Sequence, residues 1–184
     1  FILEGGPKET KTMLNDTPVI LVYFACPKCE KIYRVSIQDA RYYDLKEENH
    51  FLPELSSIPE EILKKTRYMM VSYPYNPVCA VAPDSFYEEL IAFAKKNDII
   101  IVHDNAYSDI IYDGKVGGSF LAYEGAKEVG VEFYSLSKSY NLTGARISFV
   151  VGNAEIISQF KKVRSQIDYG IFPAIQLAAV AALT

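Results

Sequence analysis

The sequence predicts an α/β fold, a three-layer α/β/α domain with a mostly parallel sheet. Strand-like and helix-like stretches alternate along the chain, which is typical of parallel strands joined by helices. In the run Asp98–Val102, the four residues after Asp98 are all apolar and β-branched, as expected of a strand covered on both faces. The segment before it repeats apolar side chains at helical spacing, at Phe86, Leu90, Phe93 and Ala94. We therefore expect one such domain over residues 1–184.

The first part of the chain contains four further predicted elements. Pro18–Phe24 is a short apolar run with β-branched residues, which predicts a strand, and the more helical Lys28–Val35 follows it. Arg41–Leu45 is a candidate strand and Pro59–Lys65 a candidate short helix.

The elements after residue 66 are more sharply bounded. Arg67–Ser72 predicts a strand that ends in the turn-rich Tyr73–Pro77, and Pro83–Asn97 predicts a helix. Ser85 and Glu88 have the spacing of a capping box at its start. Glu132–Ser135 and Arg146–Val151 predict two more strands. Asn153 is expected to cap a helix with one apolar face, made of Ile156, Phe160, Val163 and Ile167.

Composition excludes several classes of protein. The chain has 184 residues, 49% of them hydrophobic, with 23 acidic and 19 basic side chains. This balance gives no basic footprint for nucleic acid or an anionic membrane, and no apolar run is long enough to span a bilayer. We see no signal peptide. The three cysteines are too few for a disulfide scaffold and favour a reducing, cytoplasmic location.

Polar side chains of complementary chemistry follow the predicted strands. In open α/β sheets ligands bind beyond the carboxyl ends of the strands. A lysine suits an imine to an aldehyde, serines beside an arginine suit a phosphate, and an aspartate suits a pyridine nitrogen. Together these groups describe a site for pyridoxal phosphate. The candidates are Asn76, Asp104, Tyr107, Ser135, Ser137, Lys138 and Arg146.

Three motifs resemble one known family. Ser135–Lys138 with Asn141–Arg146 looks like the cofactor-lysine segment of the class I/II aminotransferases, which are fold type I pyridoxal phosphate enzymes. His103–Tyr107 resembles their aspartate–tyrosine segment, and Tyr73–Pro77 their asparagine–proline turn. The order and separations also match, over about residues 40–184. The stretch from Lys46 through Glu155 is most similar to the LL-diaminopimelate or aspartate/alanine aminotransferase branch.

The resemblance implies a role for each candidate. Lys138 would be the catalytic residue that forms the internal aldimine and shuttles the α-proton. Asp104 would pair with the pyridine nitrogen, and Tyr107 and Asn76 would contact the ring oxygen. The phosphate would be held by Ser135, Ser137 and Arg146. The implied reaction is ping-pong transfer of an amino group from an amino acid to a 2-oxo acid.

Further implications concern assembly and extent. The family site lies at a two-fold interface, so a homodimer is implied, and apolar Ile171, Phe172 and Leu177 would lie in it. Family chains are roughly twice as long as this one. The chain over 1–184 therefore resembles the large cofactor-binding domain alone, without an N-terminal arm or the C-terminal small domain, and we expect a truncated or impaired form.

Departures from the family pattern point the same way. The family turn Asn-Pro-Thr-Gly is Asn76-Pro77-Val78-Cys79 here, and a residue other than glycine is strained at that place if its φ is positive. Pro7 stands in the expected phosphate loop and has no N–H to donate. Cys26 stands where an aromatic residue stacks on the ring. These changes predict weak cofactor binding and slow turnover.

Alternatives remain open at this stage. A degenerate, non-catalytic cofactor-binding or association domain would keep the same motifs, and a β-lyase would use the same lysine. Cys26 and Cys29 have the spacing of a redox pair or half a zinc site, but buried thiols are the simpler interpretation. The remaining Cys79, His50 and His103 lack ligand spacing, so we predict no metal site. We interpret His103 as an imidazole that lies in the core or supports a site residue, rather than as a catalytic base.

Overall fold

The computed structural model describes residues 10–14, 17–25, 32–38, 43–114, 117–167 and 170–184. The chain divides into two compact units, Phe1–Asp44 and Leu45–Thr184, which are described separately. Within the described ranges, no helix is both long and apolar enough to cross a bilayer.

The first unit contains an antiparallel three-stranded sheet in the order β1-β2-β3. Its strands are β1 (Thr10–Leu14), β2 (Thr17–Ala25) and β3 (Ile32–Gln38). The strand predicted at Pro18–Phe24 is confirmed as part of β2. The helix predicted over Lys28–Val35 is wrong from Ile32 onward. There apolar and polar residues alternate with the period of a strand, and β3 pairs with β2 along its length.

The second unit is built on a four-stranded sheet in the order β4-β5-β6-β7. The strands are β4 (Tyr68–Ser72), β5 (Ile100–Asp104), β6 (Gly130–Ser135) and β7 (Ser148–Gly152). The first three are parallel and β7 is antiparallel to β6, so the predicted mostly parallel sheet is confirmed. No strand forms at Tyr43–Leu45, the described part of the candidate Arg41–Leu45.

Six helices accompany this sheet in the described part of the second unit. They are α1 (Glu60–Leu63), α2 (Asp84–Asn97), α3 (Ala126–Val129), α4 (Leu136–Ser139), α5 (Ala154–Arg164) and α6 (Pro173–Leu183). Tyr87 of α2 packs on His103, with ring centroids 5.6 Å apart. Phe160 of α5 packs on Phe133, on the opposite face of the sheet, at 6.1 Å. Helices on both faces of the sheet give the predicted three layers.

The ends of two elements differ from prediction. Helix α2 begins at Asp84 after an extended Pro83, so Ser85 already has helical backbone and makes no capping bond. The predicted strand at Arg146–Val151 begins at Ser148, because Arg146 ends a short 3-10 turn with a left-handed φ of 53°. The cap at Asn153 is confirmed, since its Oδ1 accepts from the amides of Glu155 and Ile156 at 3.0 and 3.1 Å.

The core lies mainly between α2 and the sheet. Leu90 of α2 and Ile101 of β5 are fully buried there. Ile100, by contrast, is 38% exposed, so the expectation that β5 is covered on both faces holds for one face of the described structure only. A second cluster joins Leu136, Ile147 and Ala179, which anchors α4 and α6 against the start of β7.

Candidate functional site

The site candidates lie where the three parallel strands end. Ser72, Asp104 and Ser135 are the last residues of β4, β5 and β6, so the segments that follow leave the sheet at one edge. Beyond these ends, Asn76 Nδ2 donates to the Tyr107 hydroxyl at 3.2 Å. The Lys138 Nζ atom lies 5.7 Å from the centroid of the Tyr107 ring. The structure therefore brings an amide, a phenol and an amine together from three separate segments.

A compact turn presents Asn76. The Cys79 amide donates to the Tyr75 carbonyl at 2.6 Å, and the Tyr75 amide donates to the Ala80 carbonyl at 2.8 Å. The Asn76–Pro77 peptide bond is cis. Cys79 has a φ of 60°, so it occupies the left-handed region that the family's glycine favours.

The segment that carries Lys138 is fixed by caps and by a buried leucine. Ser135 caps α4, and its Oγ accepts from the Ser137 amide at 3.2 Å. Leu136 is fully buried, whereas Lys138 is exposed on the same short helix. The Thr143 hydroxyl donates to the Ser137 carbonyl at 2.9 Å, which ties the following loop to the helix.

Arg146 and Asp104 lie at the same edge of the sheet. Arg146 is exposed, and its Nη1 donates to the Thr143 carbonyl at 3.0 Å, which leaves most of its five N–H donors for other partners. Asp104 is exposed at the end of β5. Among the described residues, no hydrogen bond joins Asp104, Ser135, Ser137 or Arg146 to the trio of Asn76, Tyr107 and Lys138.

A buried carboxylate lies behind Asp104 and was not a sequence candidate. Glu132 of β6 accepts hydrogen bonds from four donors, which are His103 Nδ1 at 2.9 Å, Asn105 Nδ2 at 3.1 Å, Ser119 Oγ at 2.9 Å and the Phe120 amide at 2.8 Å. His103 and Asn105 flank Asp104 along the chain, and both are buried. In the sequence, the one signal for this site was an acidic residue, Glu132, within a predicted strand. A glutamate is rarely buried without partners.

The pKa of Glu132 reflects competing effects. Burial disfavours the charged carboxylate and raises its pKa. The hydrogen bonds from His103, Asn105 and Ser119, with the charge of His103, act in the opposite direction and leave the pKa of Glu132 below its usual value. The group is therefore held as an anion, and the interpretation of His103 as a core imidazole agrees with its complete burial.

A tyrosine next to the lysine segment was not a sequence candidate either. The Tyr134 hydroxyl is bonded to Asp109 Oδ2 and to Ser139 Oγ, the latter at 2.9 Å. Its ring stacks on Phe149 with centroids 5.0 Å apart. Burial and the bond to Asp109 raise the pKa of Tyr134.

A cavity of about 420 Å³ lies elsewhere in the second unit. Glu48, His50, Glu54 and Glu89 are among its lining residues, and none of the site candidates is. In the described ranges, no group of three or more His, Cys, Asp or Glu side chains could hold a metal ion. Cys26, Cys29 and Pro7 lie outside the described residues, whereas Cys79 is exposed with a free thiol.

Comparisons with known proteins agree with one another. The family model for aminotransferase class I and II matches residues 7–184. LL-diaminopimelate aminotransferase of Halothermothrix orenii is 52% identical over 140 residues, which are 76% of this chain and 36% of the relative. LL-diaminopimelate aminotransferase 2 of Trichormus variabilis is 51% identical over 138 residues, 75% of this chain and 35% of the relative.

A solved structure is similar as well. Substrate-bound BacF from Bacillus subtilis superposes with a TM-score of 0.74 and 42% identity, over 77% of this chain and 36% of that chain. The matched stretch thus spans about a third of the length of each of these relatives.

Proposed function

Because the chain belongs to the class I and II aminotransferases, we propose that it is the cofactor-binding domain of a pyridoxal-phosphate-dependent enzyme that transfers an amino group from an amino acid to a 2-oxo acid. The family inferred from the three motifs is confirmed. The observation that supports the activity most directly is the meeting of Asn76, Tyr107 and Lys138 beyond the sheet edge.

The side chains at this edge fit the chemistry of the cofactor. The Lys138 amine is exposed and lies near the face of a tyrosine ring, so it is accessible to an aldehyde. The Ser135 hydroxyl accepts from an amide and so keeps its own proton to donate. Arg146 has free N–H donors for a phosphate. A carboxylate, an amine, phenol and amide groups, two hydroxyls and a guanidinium together match a ring that carries an aldehyde and a phosphate.

Each residue would contribute one physical effect. Pyridoxal phosphate, when bound, supplies an electron-poor ring that stabilises negative charge at the substrate α-carbon. Lys138 would attach the cofactor and move the α-proton, and Asp104 would keep the ring nitrogen protonated. Tyr107, held by Asn76, would donate to the ring oxygen. The phosphate would be bound by Ser135, Ser137 and Arg146.

The proposed donor is a diaminopimelate-like amino acid. The support for this donor is that two relatives, which are 52% and 51% identical to this chain, are named LL-diaminopimelate aminotransferases. We also propose a cytoplasmic homodimer. Exposed apolar side chains on and just before α6 support the dimer, since Phe172 is 68% and Leu177 71% exposed.

We propose that cofactor affinity is reduced. In sequence, Pro7 removes an amide donor from the expected phosphate loop, and Cys26 replaces a ring-stacking aromatic residue. Both changes weaken binding without removing the groups that would react. A dissociation constant above the low micromolar range would agree with this proposal, and tighter binding would contradict it.

The test follows the visible absorbance of protein loaded with pyridoxal phosphate after addition of diaminopimelate, aspartate or alanine. We expect a slow shift to the pyridoxamine form that depends on Lys138. Lys138→Ala should lower its rate by about 10²- to 10⁴-fold, the usual contribution of a positioned acid–base group. Lys127→Ala, which changes an exposed lysine of α3, is the control and should behave like the parent. An equal rate in Lys138→Ala would contradict the proposal.

A further inference from the structure

Segments that carry two of the proposed site residues meet at the hydroxyl of Tyr134. Asp109, which it contacts, lies two residues after Tyr107. Ser139, which it contacts at 2.9 Å, directly follows Lys138. One hydroxyl therefore connects the loop that carries the phenol with the helix that carries the amine.

The Tyr134 ring is fixed by the sheet. Tyr134 is the fifth of the six residues of β6, and its backbone is paired with Phe149 of β7. The two rings also stack, at 5.0 Å between centroids and 28° between planes. A ring held by two paired strands places its hydroxyl at a fixed point, whereas Asp109 belongs to an exposed loop.

The proton arrangement at Tyr134 is set by chemistry. A carboxylate only accepts hydrogen bonds, so the Tyr134 proton goes to Asp109, and its oxygen is left to accept from the Ser139 hydroxyl. A bond from a hydroxyl to an ionised carboxylate is among the stronger kinds. The raised pKa of Tyr134, caused by burial and by Asp109, keeps that proton in place at neutral pH.

The loop over residues 106–112 has few other ties. Among the described residues, hydrogen bonds connect it to the rest of the unit at two points, from Asn76 to Tyr107 and from Tyr134 to Asp109. The bond from the Ile110 amide to the Tyr107 carbonyl lies within the loop itself. Asn76 is on an exposed turn, so within the described part of the chain the hydrogen bond that ties this loop to the sheet is the one from Tyr134 to Asp109.

We propose that Tyr134 is a positioning residue. Through Asp109 and Ser139 it holds the Tyr107 phenol at a fixed position relative to the Lys138 amine. This inference rests on the proposed function, which gives Tyr107 and Lys138 their roles. Its structural part, the tie of the loop to the sheet, stands on the contacts alone. Because a displacement of about 1 Å in a reacting group lowers a rate by roughly 10²-fold, a single hydroxyl at this place has a large effect.

The test measures amide hydrogen exchange in the chain without cofactor. Tyr134→Phe keeps the ring and its stacking on Phe149 but removes the hydroxyl. We expect amides of residues 106–112 to exchange at least about tenfold faster in this variant. Asp109→Ala, on an exposed loop where folding is not at risk, should have the same effect. Asp109→Asn retains an acceptor oxygen and should restore most of the protection.

The control removes an equivalent bond elsewhere. The Tyr123 hydroxyl donates to Asp84 Oδ1 at 2.6 Å, so Tyr123→Phe loses another tyrosine–carboxylate contact. It should leave exchange in residues 106–112 unchanged. The double variant of Tyr134→Phe with Asp109→Ala should be no faster than either single variant, because both remove one shared interaction.

A second readout uses the cofactor. Tyr134→Phe should weaken binding of pyridoxal phosphate by about fivefold or more, and Asp109→Asn by less than twofold. Unchanged exchange in Tyr134→Phe, additive effects in the double variant, or equal loosening by Tyr123→Phe would each overturn the inference. If the parent chain never attaches pyridoxal phosphate at Lys138, the proposed function fails. The exchange data still decide whether the tie exists.

Discussion

Replacing Glu132 with leucine should strongly destabilise the second unit. The variant keeps a similar volume but removes the acceptor of four hydrogen bonds. His103 can change tautomer and Ser119 can rotate, so the Phe120 amide and one proton of Asn105 are left without an acceptor. Each stranded buried donor costs roughly 1–3 kcal/mol.

With two stranded donors, the expected loss is about 4 kcal/mol of unfolding free energy. Urea unfolding followed by circular dichroism measures it by linear extrapolation. Tyr87→Phe is the matched control, since its hydroxyl lies 3.5 Å from His103 Nε2, at the limit of a hydrogen bond. It should cost under about 1 kcal/mol. A loss below about 1 kcal/mol in Glu132→Leu, or equal losses in both variants, would show that the hydrogen bonds to Glu132 do not stabilise the fold as expected.

The same carboxylate predicts a pH dependence. The folded protein holds the pKa of Glu132 below the usual value of 4.5, because hydrogen bonds from His103, Asn105 and Ser119 outweigh burial. A lowered folded-state pKa adds stability above the unfolded-state value, and that stability disappears as the pH falls through the folded-state pKa. Unfolding free energy should thus fall more steeply below about pH 4.5 in the parent than in Glu132→Gln. Equal slopes would contradict this assignment.

Three further substitutions test local features by urea unfolding. Asn153→Ala should cost about 2 kcal/mol, because its side chain caps two amides of α5 and also donates to two carbonyls of α3; an unchanged midpoint would contradict the cap. Gly152→Ala should cost more than about 2 kcal/mol, because φ is 132° and an added Cβ would lie 2.6 Å from the Gly130 carbonyl oxygen; a loss under half of that would argue against this close approach. Cys79→Gly should raise stability by about 1 kcal/mol, since φ is 60° there, and a lower stability would show that the turn is not strained.

The sheet of the second unit was predictable because its strands carry their own signal. Four β-branched residues follow Asp98 without a break in the predicted Asp98–Val102, and β5 forms there with a shift of two residues. The first unit was harder. Residues 28–35 have an ambiguous local pattern, and the pairing of Ile32–Gln38 with β2 is a long-range choice that local periodicity does not determine. Arg146 likewise ends a 3-10 turn in the left-handed region, which residue propensities do not predict.

The candidate site was also predictable only in part. Asn76, Tyr107 and Lys138 follow strand ends, and parallel topology alone brings such positions to one edge. Glu132 and Tyr134 act through partners that are distant in sequence. His103 precedes Glu132 by 29 residues, and Asp109 precedes Tyr134 by 25. Such contacts depend on the register of neighbouring strands and on loop positions, which a single sequence does not specify.

Borohydride trapping shows directly whether Lys138 is the residue that attaches pyridoxal phosphate. The chain is incubated with pyridoxal phosphate, reduced, digested and mapped by mass spectrometry. We expect a reduced pyridoxyl label on Lys138 and its loss in Lys138→Ala, with Lys127→Ala labelled like the parent. A label that falls on other lysines while Lys138 stays unmodified would show that Lys138 is not the attachment site.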